Sequence, residues 1–158
     1  QDIDMLLKIK GTKPADYFHV QLGKIMWEHV GMSRNENGLK KAIKEIKSLR
    51  ESFLKDLFVP GDQYSMNKEL EKAGRVLDFL ELGELFALDA LERNESCGGH
   101  YREESVEKEG PQQGEAKRDD ENYSYVSAWE FNEDPSKAIL HKEQLEFKNV
   151  ELKQRSYK

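Results

Sequence analysis

The sequence predicts a mainly α-helical fold, in which a β-hairpin and an extended arm follow a three-helix up-down-up bundle. Two periodicities carry this prediction. In the first hundred residues, apolar side chains recur at three- and four-residue spacing, as in amphipathic helices that face a core. After residue 122 they alternate with a period of two, which is typical of strands. Short connections between helices favour antiparallel packing of consecutive helices.

A short segment precedes the first bundle helix. Residues 1–9 are expected to form a short amphipathic helix or the end of a longer one, which Gly11 interrupts. Pro14 suits the first turn of the next helix, because the N–H that proline lacks has no helical partner there. Gly31 is expected to end that helix. Its apolar face comprises Tyr17, Phe18, Leu22, Ile25, Met26 and Val30.

The second bundle helix is predicted between Asn35, a residue type that favours N-caps, and Pro60-Gly61, a pair that ends helices. Its apolar residues repeat at helical spacing: Leu39, Ala42, Ile43, Ile46, Leu49, Phe53 and Leu57. The lysines and glutamates between them fall mostly on the opposite side, which is therefore expected to face solvent.

The third helix is predicted from Ser65, as its N-cap, to Asn94, ahead of two glycines that let the chain turn. One apolar stripe is expected to face the bundle. A second stripe lies around the other side: Val76, Phe79, Leu82, Leu85 and Phe86. Because a large apolar patch on a protein surface usually marks an interface, we interpret this helix as covered from two directions and the bundle as part of something larger.

Residues 102–122 carry eight acidic and four basic residues, which predicts a solvated loop. In the strand that follows, alternate residues share one face: Tyr123, Tyr125, Ser127, Trp129 and Phe131. A turn at 132–137 leads to a second strand at 138–142, and an extended arm is predicted beyond it. The predicted organisation is one structural domain, with the bundle at 1–101, the charged loop, and the hairpin and arm packed on the bundle at 123–158.

Composition and charge exclude several classes of protein. The formal net charge of −6 argues against a general nucleic-acid binder, in which basic residues dominate one surface. A single cysteine excludes an internal disulfide and suits a reducing compartment. No apolar run approaches the roughly 20 residues of a membrane-spanning helix, and no signal peptide opens the chain. Since the sequence begins with Gln1, we expect a processed chain or a piece of a longer one.

The glycine-rich turn after the third helix holds the strongest candidates for chemistry. Cys97 and His100 are three residues apart, as a thiolate and its base can be, but the sequence specifies no third group to orient the histidine. With Glu103 and Glu104 the same pair imitates a metal site, yet zinc sites usually have a second ligand pair at defined spacing. A tight structural turn is therefore the favoured interpretation.

The other candidates also have structural explanations. His19 and His29 are ten residues apart, which does not place two ligands on one helical face. Lys24 follows a glycine but lacks the upstream glycine of a phosphate-binding loop. The charged run that contains Arg118 and Asp120 lacks the spacing of a calcium-binding loop, and either caps the strand or docks a partner. The residues alone thus predict no catalytic, cofactor-binding or metal-binding group.

Two segments of the chain resemble a known family. They are NESCGGHYR at 94–102 and RDDEN at 118–122. In this order they are similar to the C-terminal domain of the flavoprotein subunit of succinate dehydrogenase and fumarate reductase, especially the version found in the Bacteroidetes. The likeness continues through the segments at 19–39, 140–147 and 155–158.

The resemblance implies a docking role for the turn. The residues that match the family pattern are Glu95, Ser96, Gly98, His100 and Arg102. Together with Arg118 and Asp120, they are expected to dock onto the flavin-binding domain of the same subunit. Cys97 and Gly99 depart from the commoner pattern, which has arginine and alanine there, so no docking role is transferred to position 97.

The resemblance also implies a spectrin-repeat-like bundle that packs against the missing N-terminal FAD-binding domain and lies near the iron–sulfur subunit. The catalytic and flavin-binding residues of the family lie upstream, so this piece alone is expected to hold no cofactor and to be inactive. Its parent interconverts succinate and fumarate with FAD, in a cytoplasmic complex peripheral on the inner membrane. Two alternatives stay open: the C-terminal domain of L-aspartate oxidase, which has a similar turn, and a free-standing helical interaction module.

Overall fold

The computed structural model describes residues 3–62, 64–134 and 137–153. Its helices are α1 (Ile3–Lys8), α2 (Ala15–His29), α3 (Glu36–Asp56), α4 (Lys68–Glu92) and α5 (Asp120–Tyr123). Its strands are β1 (Ser33–Arg34), β2 (Tyr101–Arg102), β3 (Tyr125–Glu130) and β4 (Ile139–Gln144). The structure confirms the prediction of a mainly α-helical bundle with a C-terminal β-hairpin. Within the described ranges, every helix is too short or too polar to cross a lipid bilayer.

The helices α2, α3 and α4 pack in up-down-up order. Asp16 near the start of α2 accepts a hydrogen bond from Lys72 near the start of α4 (3.0 Å), so these two helices run in the same direction. Thr12, just ahead of α2, donates to Asp56 at the end of α3 (2.9 Å), so α3 runs the opposite way. The core between the three helices is apolar and includes Phe18, Leu22, Leu39, Ala42, Ile46, Phe53, Ala73, Val76, Leu80 and Ala87.

The helix α3 begins as predicted and ends early. The side chain of Asn35 accepts from the N–H of Gly38 (2.8 Å), which confirms the predicted N-cap. The prediction that Pro60-Gly61 ends the helix is wrong, because Leu57 already adopts an extended backbone with a ψ of 136°. The carbonyl of Leu57 then accepts from the N–H of Gly11 (3.0 Å), so the segment before α2 determines where α3 ends.

The start of α4 differs from the prediction. Ser65 does not cap this helix; Asn67 does, since its side-chain oxygen accepts from the N–H of Leu70 (3.0 Å). Ser65 instead donates its N–H and its hydroxyl to Asp62 Oδ1, at 3.2 and 3.3 Å. Ser65 and Asn67 are both suitable N-caps, but the hydrogen bonds of Ser65 to Asp62 leave the cap to Asn67.

The hairpin pairs β3 and β4 in antiparallel register, with Tyr125 opposite Gln144. The prediction that the strand starts at Tyr123 is wrong. Asp119 caps the single helical turn α5 by accepting from the N–H of Asn122 (3.2 Å), and the strand begins after that turn. Because the Asp119 side chain caps this turn, Tyr123, the first residue of the predicted strand, is helical.

Burial alternates along β3, as the period of two predicts. Tyr125 is buried and Ser127 and Trp129 are half-buried, whereas the residues between them are exposed. Phe131, which the pattern places on the inner face, lies beyond the strand and is exposed. The inner face of the hairpin is therefore shorter at both ends than the sequence pattern indicates.

The inner face of the hairpin rests on the C-terminal half of α4. Trp129 Nε1 donates to Asp89 Oδ1 at 2.9 Å. Lys142 Nζ donates to Glu92 Oε1 at 3.1 Å and lies 4.5 Å from the centre of the Tyr125 ring. Because an isolated pair of strands is only marginally stable, contacts such as these are needed to hold the hairpin in place.

The C-terminal region continues past the hairpin. The second strand runs further than predicted, to Gln144. The turn predicted at 132–137 includes residues 135–136, which lie outside the described residues. Beyond β4, residues 145–153 are exposed and have no regular secondary structure. The segment at 155–158, which contributed to the family resemblance, also lies outside the described part of the chain.

Candidate functional site

The segment at 94–102, which we call the 94–102 turn, folds back on itself at the end of α4. Cys97 and His100 exchange backbone hydrogen bonds of 2.9 and 3.1 Å. Ser96 is fully buried, and its hydroxyl accepts from the N–H of Arg102 (2.8 Å) and donates to the Arg102 carbonyl (3.1 Å). Backbone and side-chain hydrogen bonds therefore lock the two arms of the turn together.

Arg102 lies at the centre of this turn and is 2 % exposed. Its Nη1 donates to the carbonyl oxygens of Ala90 (2.9 Å), Leu91 (3.2 Å) and Arg93 (3.3 Å). Its Nε donates to Glu104 Oε2 at 3.1 Å. The last carbonyl groups of a helix have no hydrogen-bond partner within the helix and carry a partial negative charge. The buried guanidinium of Arg102 therefore supplies the carbonyls at the end of α4 with both a hydrogen-bond donor and a compensating positive charge.

His100 is a structural histidine. Its Nε2–H donates to the carbonyl of Arg93 (2.8 Å), and its Nδ1 accepts from Arg34 Nη1 (2.7 Å), since a guanidinium can only donate. Burial lowers the pKa of His100, and the positive charges of Arg34, Arg102 and Arg93 add to this effect, although the bond to the carbonyl opposes it. The ring is therefore held as the neutral tautomer with its proton on Nε2.

Arg93 joins the turn to the hairpin. Its guanidinium donates to Glu95 Oε1 (2.7 Å) and to the carbonyls of Tyr123 and Tyr125 (both 3.2 Å). It also lies over both tyrosine rings, 5.7 and 5.1 Å from their centres. Glu95 is buried, and its second oxygen accepts from the N–H of Asp119 (2.9 Å). This pair thus connects α4, the 94–102 turn, α5 and β3.

The turn is also tied to the start of α3. The strands β1 and β2 pair in parallel, and Glu103, the residue after β2, accepts from the hydroxyl of Ser33 in β1 (2.8 Å). Glu104 Oε1 accepts from the N–H of Glu36 (2.7 Å), in the first turn of α3. Partial burial acts to raise the pKa of Glu104, but the hydrogen bonds from Glu36 and Arg102 outweigh it, so this pKa lies below its usual value.

Arg118 and Asp120 lie beside the turn. The N–H of Ser96 donates to the carbonyl of Lys117 (2.9 Å), which brings the two segments together. Arg118 Nε donates to Asp120 Oδ1 at 2.9 Å, and this bond raises the pKa of Arg118. Arg118 Nη1 also donates to the carbonyl of Lys153 in the C-terminal tail (3.4 Å).

The structure therefore brings together the residues that the sequence predicted for docking. Three of them, Glu95, Ser96 and Arg102, are buried and take part in hydrogen bonds within this chain. Gly98 and Asp120 are exposed. The boundary predicted between bundle and charged loop falls inside β2, whose second residue is the buried arginine. A docking role for this group stays a prediction.

The catalytic and metal hypotheses gain no support from the geometry. Both ring nitrogens of His100 are engaged with arginine residues, so neither is free to activate the thiol of Cys97. Among the described residues, no three His, Cys, Asp or Glu side chains are grouped as metal ligands would be. His19 packs against the ring of Phe79 (5.8 Å between centres), and His29 lies near carboxylates, 4.0 Å from that of Glu45.

Sequence reasoning missed one group in the bundle core. Glu84 of α4 is fully buried between α4 and α3, and neither carboxylate oxygen has a hydrogen-bond partner among the described residues. Lys47 Nζ and Arg50 Nη1 of α3 lie 3.6 and 3.9 Å from it, and Lys47 also lies 3.6 Å from Asp134 in the hairpin turn. The signal was present: Glu84 falls on the buried helical stripe, four residues after Leu80.

Burial raises the pKa of Glu84, and the attraction of Lys47 and Arg50 only partly offsets it. Because the folded state then holds the proton more tightly than the unfolded chain, the stability contributed by protonated Glu84 is lost as pH rises above the ordinary range of a glutamate. We expect Glu84→Gln to be more stable than the parent at pH 7, because the amide removes a fully buried charge whose two cationic neighbours are themselves partly exposed. Urea unfolding at several pH values should show this advantage shrinking toward pH 4.

The control for Glu84→Gln is Glu81→Gln, the same chemical change at a partly exposed position of α4. It should change the stability little at either pH. If Glu84→Gln is less stable than the parent at pH 7, the attraction of Lys47 and Arg50 for the carboxylate exceeds the cost of burying it. That result would contradict the raised pKa of Glu84.

The second apolar stripe predicted on the third helix is only partly exposed. Val76 is 4 % exposed and belongs to the core, so the prediction is wrong for this residue. Phe79, Leu82 and Phe86 are 41 %, 49 % and 64 % exposed. The described chain thus leaves an apolar strip of α4 uncovered, at three- and four-residue spacing.

Comparison with known proteins gives a consistent picture. The model of the family described as "Fumarate reductase flavoprotein C-term" matches residues 19–157. One component of the CoM/CoB fumarate reductase of Methanothermobacter marburgensis is 32 % identical over 107 residues, which are 68 % of this chain and 19 % of that protein. The succinate dehydrogenase flavoprotein subunit of Bacillus subtilis is 29 % identical over 103 residues, 65 % of this chain and 17 % of that one.

A solved quinol-fumarate reductase with menaquinol molecules is similar in fold. The TM-score is 0.75 at 20 % sequence identity, and the match covers 94 % of this chain and 24 % of that chain. At this identity the likeness concerns the fold alone. The chain spans about a fifth of the length of the curated relatives. The Bacteroidetes-like character inferred from the sequence stays a prediction.

Proposed function

The chain belongs to the family of fumarate reductase flavoprotein C-terminal domains, and from this premise we propose that it is the structural C-terminal domain of an FAD-dependent flavoprotein subunit that interconverts succinate and fumarate. FAD, when bound to the upstream part of the parent subunit, would supply the hydride chemistry that interconverts succinate and fumarate, and no residue of this chain is proposed to hold it. Electrons then pass to an iron–sulfur subunit. The role of this chain is to support the flavin-binding part, and it contributes no catalytic residue of its own.

The observation that carries this proposal is how the family motif is used. Its polar residues face the interior of the chain. Arg102 donates to a carbonyl at the end of α4, Ser96 accepts from the N–H of Arg102, and Glu95 accepts from Arg93. Groups whose hydrogen bonds are already satisfied within the chain are suited to fixing a shape, not to transferring protons. The motif therefore acts as a rigid support.

What the turn presents outward is then the surface proposed for docking. Gly98 of the turn is exposed and has a φ of +59°, a backbone region that favours glycine, and Asp120 beside the turn is also exposed. The buried members of the motif fix this backbone in place. We assign no docking role to Cys97, where the commoner family pattern has arginine.

The proposed setting is a peripheral cytoplasmic complex. The flavin-binding part of the same subunit is the first partner, and the iron–sulfur subunit is the second. Nucleic acid is not a proposed partner, because the net charge of the chain is −6.

The proposal is tested on the full-length subunit that contains this chain. The purified subunit is expected to carry FAD, seen by its visible absorbance, and to reduce fumarate with a chemical electron donor. The same subunit shortened to remove residues 1–158 is expected to lose FAD and activity, because its supporting domain is absent. A full-length subunit without flavin, or flavin bound by residues 1–158 alone, would overturn the proposal.

A further inference from the structure

The start of α3 carries a reactive pair of residues that the proposed function does not use. The sequence contains seven asparagines, and one of them, Asn37, is followed by glycine. Asn37 is exposed, and its side chain makes no hydrogen bond with the described residues. The backbone nitrogen that follows an asparagine can attack the side-chain amide, and Gly38 has no side chain that would shield its nitrogen. This pair is therefore the position in the chain where deamidation is chemically easiest.

The reaction requires only this pair and water. The nitrogen of Gly38 loses its proton and bonds to the side-chain carbonyl carbon of Asn37. The bond from that carbon to the side-chain nitrogen breaks, and the nitrogen leaves with a proton as ammonia. Water then opens the resulting cyclic imide at either carbonyl group. The products are aspartate at position 37 and isoaspartate, in which the backbone runs through the former side-chain carbonyl.

The folded chain holds this pair in an unreactive geometry. The N–H of Gly38 donates to Asn35 Oδ1 at 2.8 Å, so the attacking nitrogen is engaged by the N-cap of α3. Asn37 also lies within the helix. Ring closure places its Cβ and the Gly38 nitrogen on the same side of the bond between Cα and the carbonyl carbon, which a helical ψ of about −42° does not allow. The first turn of α3 must therefore open before the reaction can occur.

Two carboxylates from a distant part of the chain hold the first turn of α3 closed. Glu103 Oε2 accepts from Asn35 Nδ2 at 3.0 Å, and Glu104 Oε1 accepts from the N–H of Glu36 at 2.7 Å. In both pairs the carboxylate lies 68 positions later in the sequence. Glu104 is itself fixed by the buried Arg102, whose Nε donates to Oε2 at 3.1 Å. Opening of this turn is therefore controlled by tertiary contacts as well as by the local cap.

We propose that Asn37 is a deamidation site that the N-cap of α3 keeps closed in the intact fold. The inference does not depend on the proposed function, because it uses only residues of this chain and water. Isoaspartate lengthens the backbone just ahead of Gly38, so the bond from Gly38 to Asn35 and the bond from Glu36 to Glu104 can no longer form together. Its formation detaches the start of α3 from the segment that follows β2, and the change is irreversible.

Peptide mass spectrometry of the full-length subunit that contains this chain, aged at mildly alkaline pH, tests the proposal. Deamidation is expected at Asn37 ahead of the other asparagines of the chain. It should be slower in the native subunit than in the same protein unfolded in urea, because the native reaction requires a local opening. Methylation by an isoaspartyl methyltransferase identifies the isoaspartate product. Reaction at another asparagine of the chain ahead of Asn37, or equal native and unfolded rates at Asn37, would overturn the proposal.

A pair of cap variants separates local opening from general destabilisation. Asn35→Ala should increase the native rate of deamidation at Asn37 about fivefold, the change in opening expected when an N-cap is lost. Asn67→Ala makes the same change at the N-cap of α4, where the side chain accepts from the N–H of Leu70 at 3.0 Å, and should leave the rate unaltered. Equal acceleration in the two variants would show that the reaction follows global unfolding, and would overturn the role given to the cap of α3.

The consequence of the reaction is tested by comparing its two products. Asn37→Asp carries the new charge without lengthening the backbone, and a negative charge in the first turn of a helix is favourable. This variant should therefore unfold at the same urea concentration as the parent or at a higher one. Aged protein, purified by its added negative charge and shown by methylation to contain isoaspartate, should unfold at a lower urea concentration. Equal midpoints for Asn37→Asp and the aged protein would contradict the detachment of α3.

Discussion

Replacing Arg102 by alanine is expected to lower the free energy of unfolding by about 3–5 kcal/mol, the range observed when one partner of a buried charged network is removed. Arg102 is 2 % exposed, and its guanidinium donates to three carbonyls at the end of α4. Alanine removes this donor from the Ala90 and Leu91 carbonyls, leaves the Arg93 carbonyl bonded to His100 alone, and opens a cavity at the centre of the 94–102 turn. Urea unfolding followed by far-UV circular dichroism measures the change.

Two further variants separate the loss of a buried guanidinium from the loss of a positive charge and from the loss of any arginine of the bundle. Arg75→Ala removes an exposed arginine of α4 that pairs with Glu71 one turn earlier, and should cost about 0.5 kcal/mol or less. Arg102→Lys keeps the charge but lacks the planar fork that reaches both the carbonyls and Glu104, so it should fall between the two. An Arg102→Ala protein as stable as Arg75→Ala would contradict the role assigned to this residue.

Gly11→Ala is expected to cost about 3 kcal/mol or more, at the upper end of what overpacking produces. A Cβ at this position would lie 1.9 Å from the carbonyl carbon of Asp56 and 2.1 Å from its oxygen. Both are backbone atoms, so no side chain can rotate away. The backbone must shift, and the hydrogen bonds from Gly11 N–H to Leu57 and from Thr12 N–H to Asp56, both 3.0 Å, must lengthen.

The matched control for Gly11→Ala is Gly74→Ala in α4. Apart from its two chain neighbours and the adjoining backbone of α4, none of the described residues lies within 4 Å of the Cβ position at Gly74. Alanine in a helix interior is favoured over glycine, so this variant should be more stable by about 0.5–1 kcal/mol. Thermal unfolding of the two proteins should therefore move the midpoint in opposite directions. A Gly11→Ala protein with an unchanged midpoint would show that the segment before α2 is free to move away from α3.

The residues of the candidate site were identifiable from the sequence, but their orientation was not. The turn could be located because its glycines and its family pattern are local features. That Ser96, Glu95 and Arg102 point inward depends on Lys117, Arg93 and α4, which the fold brings to them. A motif shows which residues act together, and it does not show which of them face solvent.

The capping errors have the same origin. Ser65 and Asn67 are both suitable N-caps, and helix propensity alone does not decide between them. The choice was made by Asp62, which engages Ser65 in a turn. In the same way, the pairing of Leu57 with the segment around Gly11 ends α3 ahead of Pro60-Gly61.

The sequence by itself determined the three bundle helices, the change to strands after residue 122 and the family to which the chain belongs. Each of these is written in short-range patterns: a period of 3.6, a period of two, and a motif of nine residues. Only the tertiary structure decided that Gly11 must be glycine, that Arg102 closes α4, that Glu84 is buried and that Phe79, Leu82 and Phe86 remain uncovered. The physical reason is that steric exclusion, burial and hydrogen-bond satisfaction depend on atoms far apart in the chain, whose positions exist only once the helices have packed.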